Sequence, residues 1–500
     1  MLNHLRAVKR IALCGAALAG LAGPAAAETL SDAIAMAYES NPTLQAQRAS
    51  QRALDESYVQ ARTGWRPTVS LGIQDTFLES RTPGGRGLID TNGDGIPDTV
   101  VSTSVNERYT GNAGLSFSQP LYTGGRVAAA VSGAQADVLA GRENLRRVEA
   151  QVLGQVIVAY VDVRRDQEAV RIRQENVNVL MRQLDESKAR FDVGEITRTD
   201  VAQSQARLAA AQSQLQLAVA QHAISRANYA AVVGQNPGEL AAEPPLAGLL
   251  PADVDKGFDV AETNNPQLRA AQYAEQASRA RVSGAKAERL PQVSLSGRYG
   301  FSGVGRPIAT DKWSQSISAT AGVNVPIFSG GLASSRIRQQ VERNTADRIN
   351  IETARRAVLQ SMTQQWNQLL AARANITSSE EQVRAAVIAA EGTRQEQQVG
   401  LRTTLDVLNA EQELRQAQLS QINARHDEYV AAAGVLASMG RLEAKNLTPA
   451  TPRYDPATNF RKLHVTWGWV PWEEAIGRLD SLRTPQPKET PAEGSVAPAP

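Results

Sequence analysis

The sequence predicts an α+β fold, mostly α: a tandem-repeat protomer in which long helices alternate with four short strands. The first observation behind this is internal repetition. Asn41-Pro42-Thr43-Leu44 returns as Asn265-Pro266-Gln267-Leu268, and Pro67-Thr68-Val69-Ser70-Leu71 as Pro291-Gln292-Val293-Ser294-Leu295. Pro120-Leu121-Tyr122-Thr123-Gly124-Gly125 returns as Pro326-Ile327-Phe328-Ser329-Gly330-Gly331, and Val193-Gly194 with Asp200 as Val399-Gly400 with Asp406. The last two pairs share a shorter offset than the first two, which places one insertion in the first copy, between residues 72 and 115. The second observation is a pair of long proline-free runs, residues 121–236 and 327–448. The third is composition: aromatics are 5% of 500 residues while Ala and Gln abound, which suits long helices packed side by side better than a conventional globule.

In chain order, residues 1–27 read as a secretory signal. Arg6, Lys9 and Arg10 precede the apolar stretch Ile11 to Leu21, and Ala25-Ala26-Ala27 offers small residues for cleavage before Glu28. The only cysteine, Cys14, lies inside this segment behind the bulky Leu13, so neither a lipid anchor nor a disulfide is expected in the mature chain. The first repeat then covers residues 28–250, the second 251–447, and a Pro-rich, Trp-containing tail 448–500. In the first repeat a helix is predicted from about 126 to 192, a break at Gly194, and a restart over 197–233. The second repeats the plan, with a helix over about 332–398, a break at Gly400 and a restart over 403–439. Glycine marks the breaks because it takes the left-handed conformation at low cost, and Thr197-x-x-Asp200 and Thr403-x-x-Asp406 have the spacing of capping boxes. A helix of that length rises roughly 100 Å at ~1.5 Å per residue. Val201, Leu208, Leu215, His222 and Tyr229 recur at heptad spacing, so a coiled-coil seam supports the restart helix.

Between the helices, four segments alternate with period 2. Tyr109, Gly111, Ala113, Leu115 and Phe117 predict a strand over about 105–120; Val293, Leu295, Gly297, Tyr299 and Phe301 one over about 292–302. Ile317, Ala319, Ala321, Val323 and Val325 predict one over about 313–327, and Val69, Leu71 and Ile73 begin a weaker one over about 68–80. A soluble half-exposed sheet would alternate in the same way, but each segment has roughly the 9–11 residues that a tilted strand needs to cross a bilayer. Four strands cannot close a barrel, and an open edge in lipid is costly, so strand count alone predicts pooling of strands from several subunits.

The signal, the repeat, the paired strands and the Gly-broken helices together resemble the TolC family of outer-membrane efflux and type I secretion proteins, over essentially residues 28–445. The most specific pieces are the duplicated Asn-Pro-x-Leu, the two Gly-Gly segments, and Val399-Gly400-Leu401-Arg402-Thr403-Thr404-Leu405-Asp406-Val407-Leu408. The resemblance implies a homotrimer with a 12-stranded β-barrel in the outer membrane, continuous with a 12-helix α-barrel through the periplasm. It also implies an exit duct for type I protein secretion and/or small-molecule efflux. Such a duct docks to a periplasmic adaptor (membrane fusion) protein and an inner-membrane ABC transporter or proton-driven efflux pump. By the same resemblance Thr199, Asp200, Arg402 and Asp406 form a periplasmic gate, with Arg402 bonding towards Thr199 and Asp200 and Asp406 repeated as a carboxylate ring. The alternative reading is that Asp200 and Asp406 merely cap helices. Where the best-known members carry a second aspartate and a tyrosine, this chain has Asn409 and Gln397, so weaker cation binding and fewer latches are expected.

Three further features complete the reading. Asp90, Asn92, Asp94 and Asp98 around Gly93 and Gly95 have the alternate spacing of a calcium loop, but Val101 stands where an EF-hand carries glutamate; a solvated hairpin of turn-forming residues is the alternative. Trp467-Gly468-Trp469-Val470-Pro471-Trp472 reads either as a docking segment or as a local cluster, between stretches 448–457 and 484–500 that read as disordered. The formal charge of +2 predicts no nucleic-acid partner, and no P-loop, HExxH or nucleophile elbow predicts an enzyme or a bound cofactor. A trimeric adhesin stalk without transport activity is the rival from another class, disfavoured because the strands recur inside each repeat instead of gathering at one terminus.

Overall fold

The computed structural model describes residues 27–82, 86–90, 93–96, 98–101, 104–304, 313–449, 451–463, 465–482 and 484–488. The segment read as a signal lies outside them, except for Ala27. In the first repeat, α1 (Leu30–Ser40) and α2 (Pro42–Arg62) lead into β1 (Thr68–Thr82), a small hairpin of β2 (Arg86–Ile89) and β3 (Asp98–Val101), and β4 (Ser104–Tyr122). Then come the long α3 (Arg126–Asp192) and α4 (Arg198–Val233). The second repeat has α5 (Val254–Asn264), α6 (Pro266–Ala287), β5 (Gln292–Val304), β6 (Ser314–Asn324), α7 (Leu332–Gln398) and α8 (Thr404–Ser438). The tail adds α9 (Ala444–Leu447), α10 (Pro456–Lys462) and α11 (Glu473–Ser481).

The duplicated Asn-Pro explains how each repeat is strung together. Asn41 accepts N–H bonds from Thr43 (3.0 Å) and Leu44 (3.4 Å), capping α2, while Pro42 fills the first helical position, where no N–H is needed. Its amide also donates to the Val232 carbonyl (2.9 Å) at the end of α4. Asn265 does the same in the second copy, capping α6 and donating to the Ser438 carbonyl (2.8 Å) at the end of α8. Thus α4 and α2 meet end to end along α3, and α8 and α6 along α7. The main core lies at this level, where Ile34, Leu153, Ile157, Tyr160, Tyr229, Met362, Leu369 and Leu436 are fully buried.

Below the core the helix pairs are thin. On α4 the large heptad residues alternate with small ones, since Ser204, Ala211 and Ser225 are buried beside Leu215 and Tyr229. Small residues let the backbones approach, and two serines meet across the seam, Ser187 to Ser204 at 3.1 Å. The α7–α8 pair uses Ala386, Ala390, Leu414 and Ala417 in the same way.

The sheet order is β1-β4-β5-β6, antiparallel throughout. Register puts Leu71, Leu115, Tyr299 and Ile317 on one rung, and Ser70, Ser116, Arg298 and Ser318 on the next. One face is therefore apolar and the other polar, as a wall between lipid and an aqueous lumen requires. β6 ends at Asn324, short of the expected 327: Pro326 has no N–H to give, and within the protomer β6 has only β5 to pair with. The inserted hairpin β2–β3 is an addition to the four strands expected.

The tail also departs from expectation. Residues 451–457 are ordered against the core: the Tyr454 N–H donates to the Tyr38 hydroxyl (3.1 Å), and the Arg48 guanidinium lies over both tyrosine rings. Proline-rich composition hid this, because the contacts that order the segment come from the other end of the chain. Of the second stretch read as disordered, 489–500 lie outside the described residues.

Candidate functional site at the hairpin tips

Each long helix ends in the same turn. Gly194 and Gly400 both take φ +81, where an L side chain would be strained. Around them Gly194 donates to the Phe191 carbonyl (2.9 Å) and Glu195 to Arg190 (2.9 Å); Gly400 donates to Gln397 (3.0 Å) and Leu401 to Glu396 (2.9 Å). These are Schellman closures, which satisfy the last carbonyls of α3 and α7.

The restart helices carry reciprocal capping boxes. The Asp200 carboxylate accepts from the Thr197 N–H (2.9 Å) and hydroxyl (2.7 Å), and the Thr197 hydroxyl accepts from the Asp200 N–H. Asp406 and Thr403 repeat this at 3.0 and 2.8 Å. Bonds from the threonine hydroxyls hold both carboxyls below the usual aspartate range. In each case both bonds land on one oxygen, Oδ2, leaving Oδ1 for a second partner. Capping and a ring of charge are compatible roles for the same side chain.

Arg402 is exposed and, within the protomer, its guanidinium pairs with Glu396 at 2.8 Å instead of with Thr199 or Asp200. That ion pair keeps its pKa raised. Thr199 is exposed on the first turn of α4. The four expected gate residues thus stand at two neighbouring tips without a direct bond between the copies.

The bonds that do join the copies near the tips come, apart from Asn409, from residues that the motifs do not mark. Arg207 on α4 donates to Asn409 (3.1 Å) and to Gln412, both on α8. Glu411 is buried between Arg394 of α7 and Arg415 of its own helix (3.4 Å), and Arg415 in turn faces Glu175 of α3 at 3.9 Å. Leu408 inserts among Val177, Leu180, Ala211 and Leu215 of the first copy. Glu411 lies one turn before the buried Leu414 on α8, and nothing in the sequence reading marked it as buried. Asn409 is the acceptor of an interhelical bond. Gln397 is buried at the end of α7.

The acidic insertion makes a turn of its own. Asp90 accepts from the N–H groups of Gly93 (2.7 Å) and Gly95 (2.9 Å), and Asp94 from Ile96 (2.8 Å). Asn92 and the side chain of Asp98 lie outside the described residues, and no metal-holding group of three His, Cys, Asp or Glu occurs among those described.

A family model described as outer membrane efflux protein matches residues 33–235 and 258–441. The outer membrane efflux protein BepC of Brucella suis biovar 1 is 32% identical over 91% of this chain and 94% of its own length. The alkaline protease secretion protein AprF of Pseudomonas aeruginosa is 27% identical over 67% of this chain and 70% of its own. Among solved structures, the open-state MtrE outer membrane channel of Neisseria gonorrhoeae superposes with a TM-score of 0.66, covering 83% of this chain and 90% of that one. At 18% identity that likeness speaks for the fold alone.

Proposed function

Because the chain belongs to the outer membrane efflux protein family, an outer-membrane channel reaching into the periplasm, we propose that three copies close one duct gated at the hairpin tips. The observation that carries this is the sheet. It has four strands, one apolar face, and two edges, β1 and β6, without a partner in the protomer. Pairing β6 of each copy with β1 of the next would close a 12-stranded barrel and remove every edge from lipid. The long helices of the three copies would then form a 12-helix tunnel below it.

At the tips, threefold symmetry would repeat Asp406 as a ring of carboxylates that attracts cations, with Thr199 and Asp200 beside it. Opening would be an outward movement of the α7–α8 hairpin once the bonds of Arg402 are released. Within each copy, Arg207 and Arg415 tie that hairpin to α3 and α4 and so resist the same movement. Asn409 gives up a charge at the ring and gains a bond from Arg207.

The duct supplies no energy of its own. The reading therefore includes a periplasmic adaptor and an inner-membrane ABC transporter or proton-driven pump as partners. The names of the relatives divide between efflux and protease secretion, so both type I secretion and small-molecule efflux belong to it. Native mass measurement of the detergent-purified protein tests the closure: three chains per particle are expected, and a monomer or dimer would contradict it.

A further inference from the structure

The tail beyond residue 441 lies outside the family match, yet it is built into the foot of the barrel. Glu473 is fully buried and pairs with Arg62 (2.7 Å) and Arg66 (2.8 Å), just before β1 begins. Asp480 is buried at the start of α3. It accepts from the N–H groups of Thr123 (2.9 Å), Gly125 (2.9 Å) and Ala128 (3.1 Å), the Thr123 hydroxyl (2.7 Å) and the Trp65 indole (3.2 Å). Two buried carboxylates thus fasten α11 to the strand–helix junction.

That fastening fixes the height of the tryptophan segment. Trp472 donates to the Gln119 side chain (3.2 Å), which lies on the same strand face as Phe117 and Leu115. Two residues along a strand are about 7 Å, so Trp472 sits just below the apolar band and on its outer side. Arg66, three residues before the exposed Val69 of β1, holds the carbonyl of Trp467 (3.3 Å) and the hydroxyl of Thr466 (3.2 Å). The turn that follows, closed by Trp469 N–H to Thr466 carbonyl (2.9 Å) with Gly468 at φ +88, presents Trp467 at its tip. Trp467 is 100% exposed, with Val465 at 64% and Trp472 at 48%.

We propose that residues 465–472 are an interfacial anchor that seats in the headgroup layer of the outer membrane's periplasmic leaflet. Phospholipid is the occupant because the exposed indoles continue the lipid-facing surface of the sheet at the level where that surface ends. Indole rings favour this boundary, with an apolar body towards the chains and an N–H towards water and phosphate. A clamp held by two buried carboxylates makes the anchor rigid, so it would set the vertical position of the barrel in the membrane. The inference rests on the apolar sheet face being the lipid face.

The test places a bimane-labelled cysteine at Trp467 (Trp467→Cys) or at Leu71 (Leu71→Cys) in the full-length protein, reconstituted in phosphatidylethanolamine–phosphatidylglycerol vesicles. Trp467 has no packing to lose, so its variant should fold. Both probes should be quenched several-fold by brominated acyl chains, Trp467 best by bromines near the headgroup, and vesicles should shield both from aqueous iodide. A Leu71 probe quenched by bromolipid beside a Trp467 probe open to iodide would overturn the anchor and leave the barrel standing. A Trp467 probe closed to both quenchers would also overturn it, placing the segment against a second copy of the chain. Failure of the Leu71 probe to see lipid would refute the assignment of the sheet face itself.

Discussion

Asp480 does at one residue what the Gly-Gly junction cannot do for itself. Gly125 precedes the 67-residue α3 without a side chain to cap it, and the carboxylate arrives from the other end of the chain. Burial alone would raise its pKa, but the N–H donors of Gly125 and Thr123 and the Thr123 hydroxyl outweigh it and hold the pKa low. A carboxyl whose folded pKa is depressed stabilises the fold above its unfolded value, about 3.9, and that contribution is lost as pH falls through the folded value. Asp480→Asn keeps the shape and removes the charge. It should cost about 1.5–3 kcal/mol and expose the chain after Leu447 to limited proteolysis near neutral pH, where the parent resists. The sequence could not disclose this cap, since its partners lie some 350 residues away. Capping by Thr197 and Asp200 was legible because every bond of it closes within four residues.

Among elements, the long helices were readable from glycine, threonine and the absence of proline, because those signals act locally. Their pairing was legible only in part: the heptad residues of α4 are visible, whereas the small residues between them carry no hydrophobic signal. The ties between hairpins were the least legible, since Arg207, Glu411 and Arg415 look like ordinary surface charges on a helix. His426 belongs to this group. Its ring bridges Asp162 of α3 (2.9 Å) and Asp427 of its own helix (2.9 Å), with Arg165 of α3 nearby. Burial pushes its pKa down, but the bonds to the two aspartates outweigh burial and the Arg165 charge, and raise it. A histidine with a raised folded pKa stabilises fully below its unfolded value, about 6.5, and loses that contribution as pH rises through the folded value. Amide exchange along α8 near His426 should therefore quicken from about pH 6 to 8 beyond the intrinsic pH effect. His426→Gln should flatten that excess, and an unchanged profile would remove His426 from the link.

For the whole molecule, repetition was the signal that reached furthest. It located both hairpins and both strand pairs, and the strand count then demanded more than one chain. The tail stayed illegible because its order comes from contacts with Arg62, Arg66 and Thr123, not from its own composition. At the tips, Arg402 is exposed and paired with Glu396, and Asp406 caps α8 with one oxygen to spare; the proposed gate requires the α7–α8 hairpin to move once its ties are cut. The most direct measurement is conductance in a planar bilayer, parent against Arg402→Ser. A parent that conducts poorly and a variant with several-fold higher basal conductance are the predicted result. Equal conductance from the two proteins, at equal trimer yield, would contradict a gate at the hairpin tips.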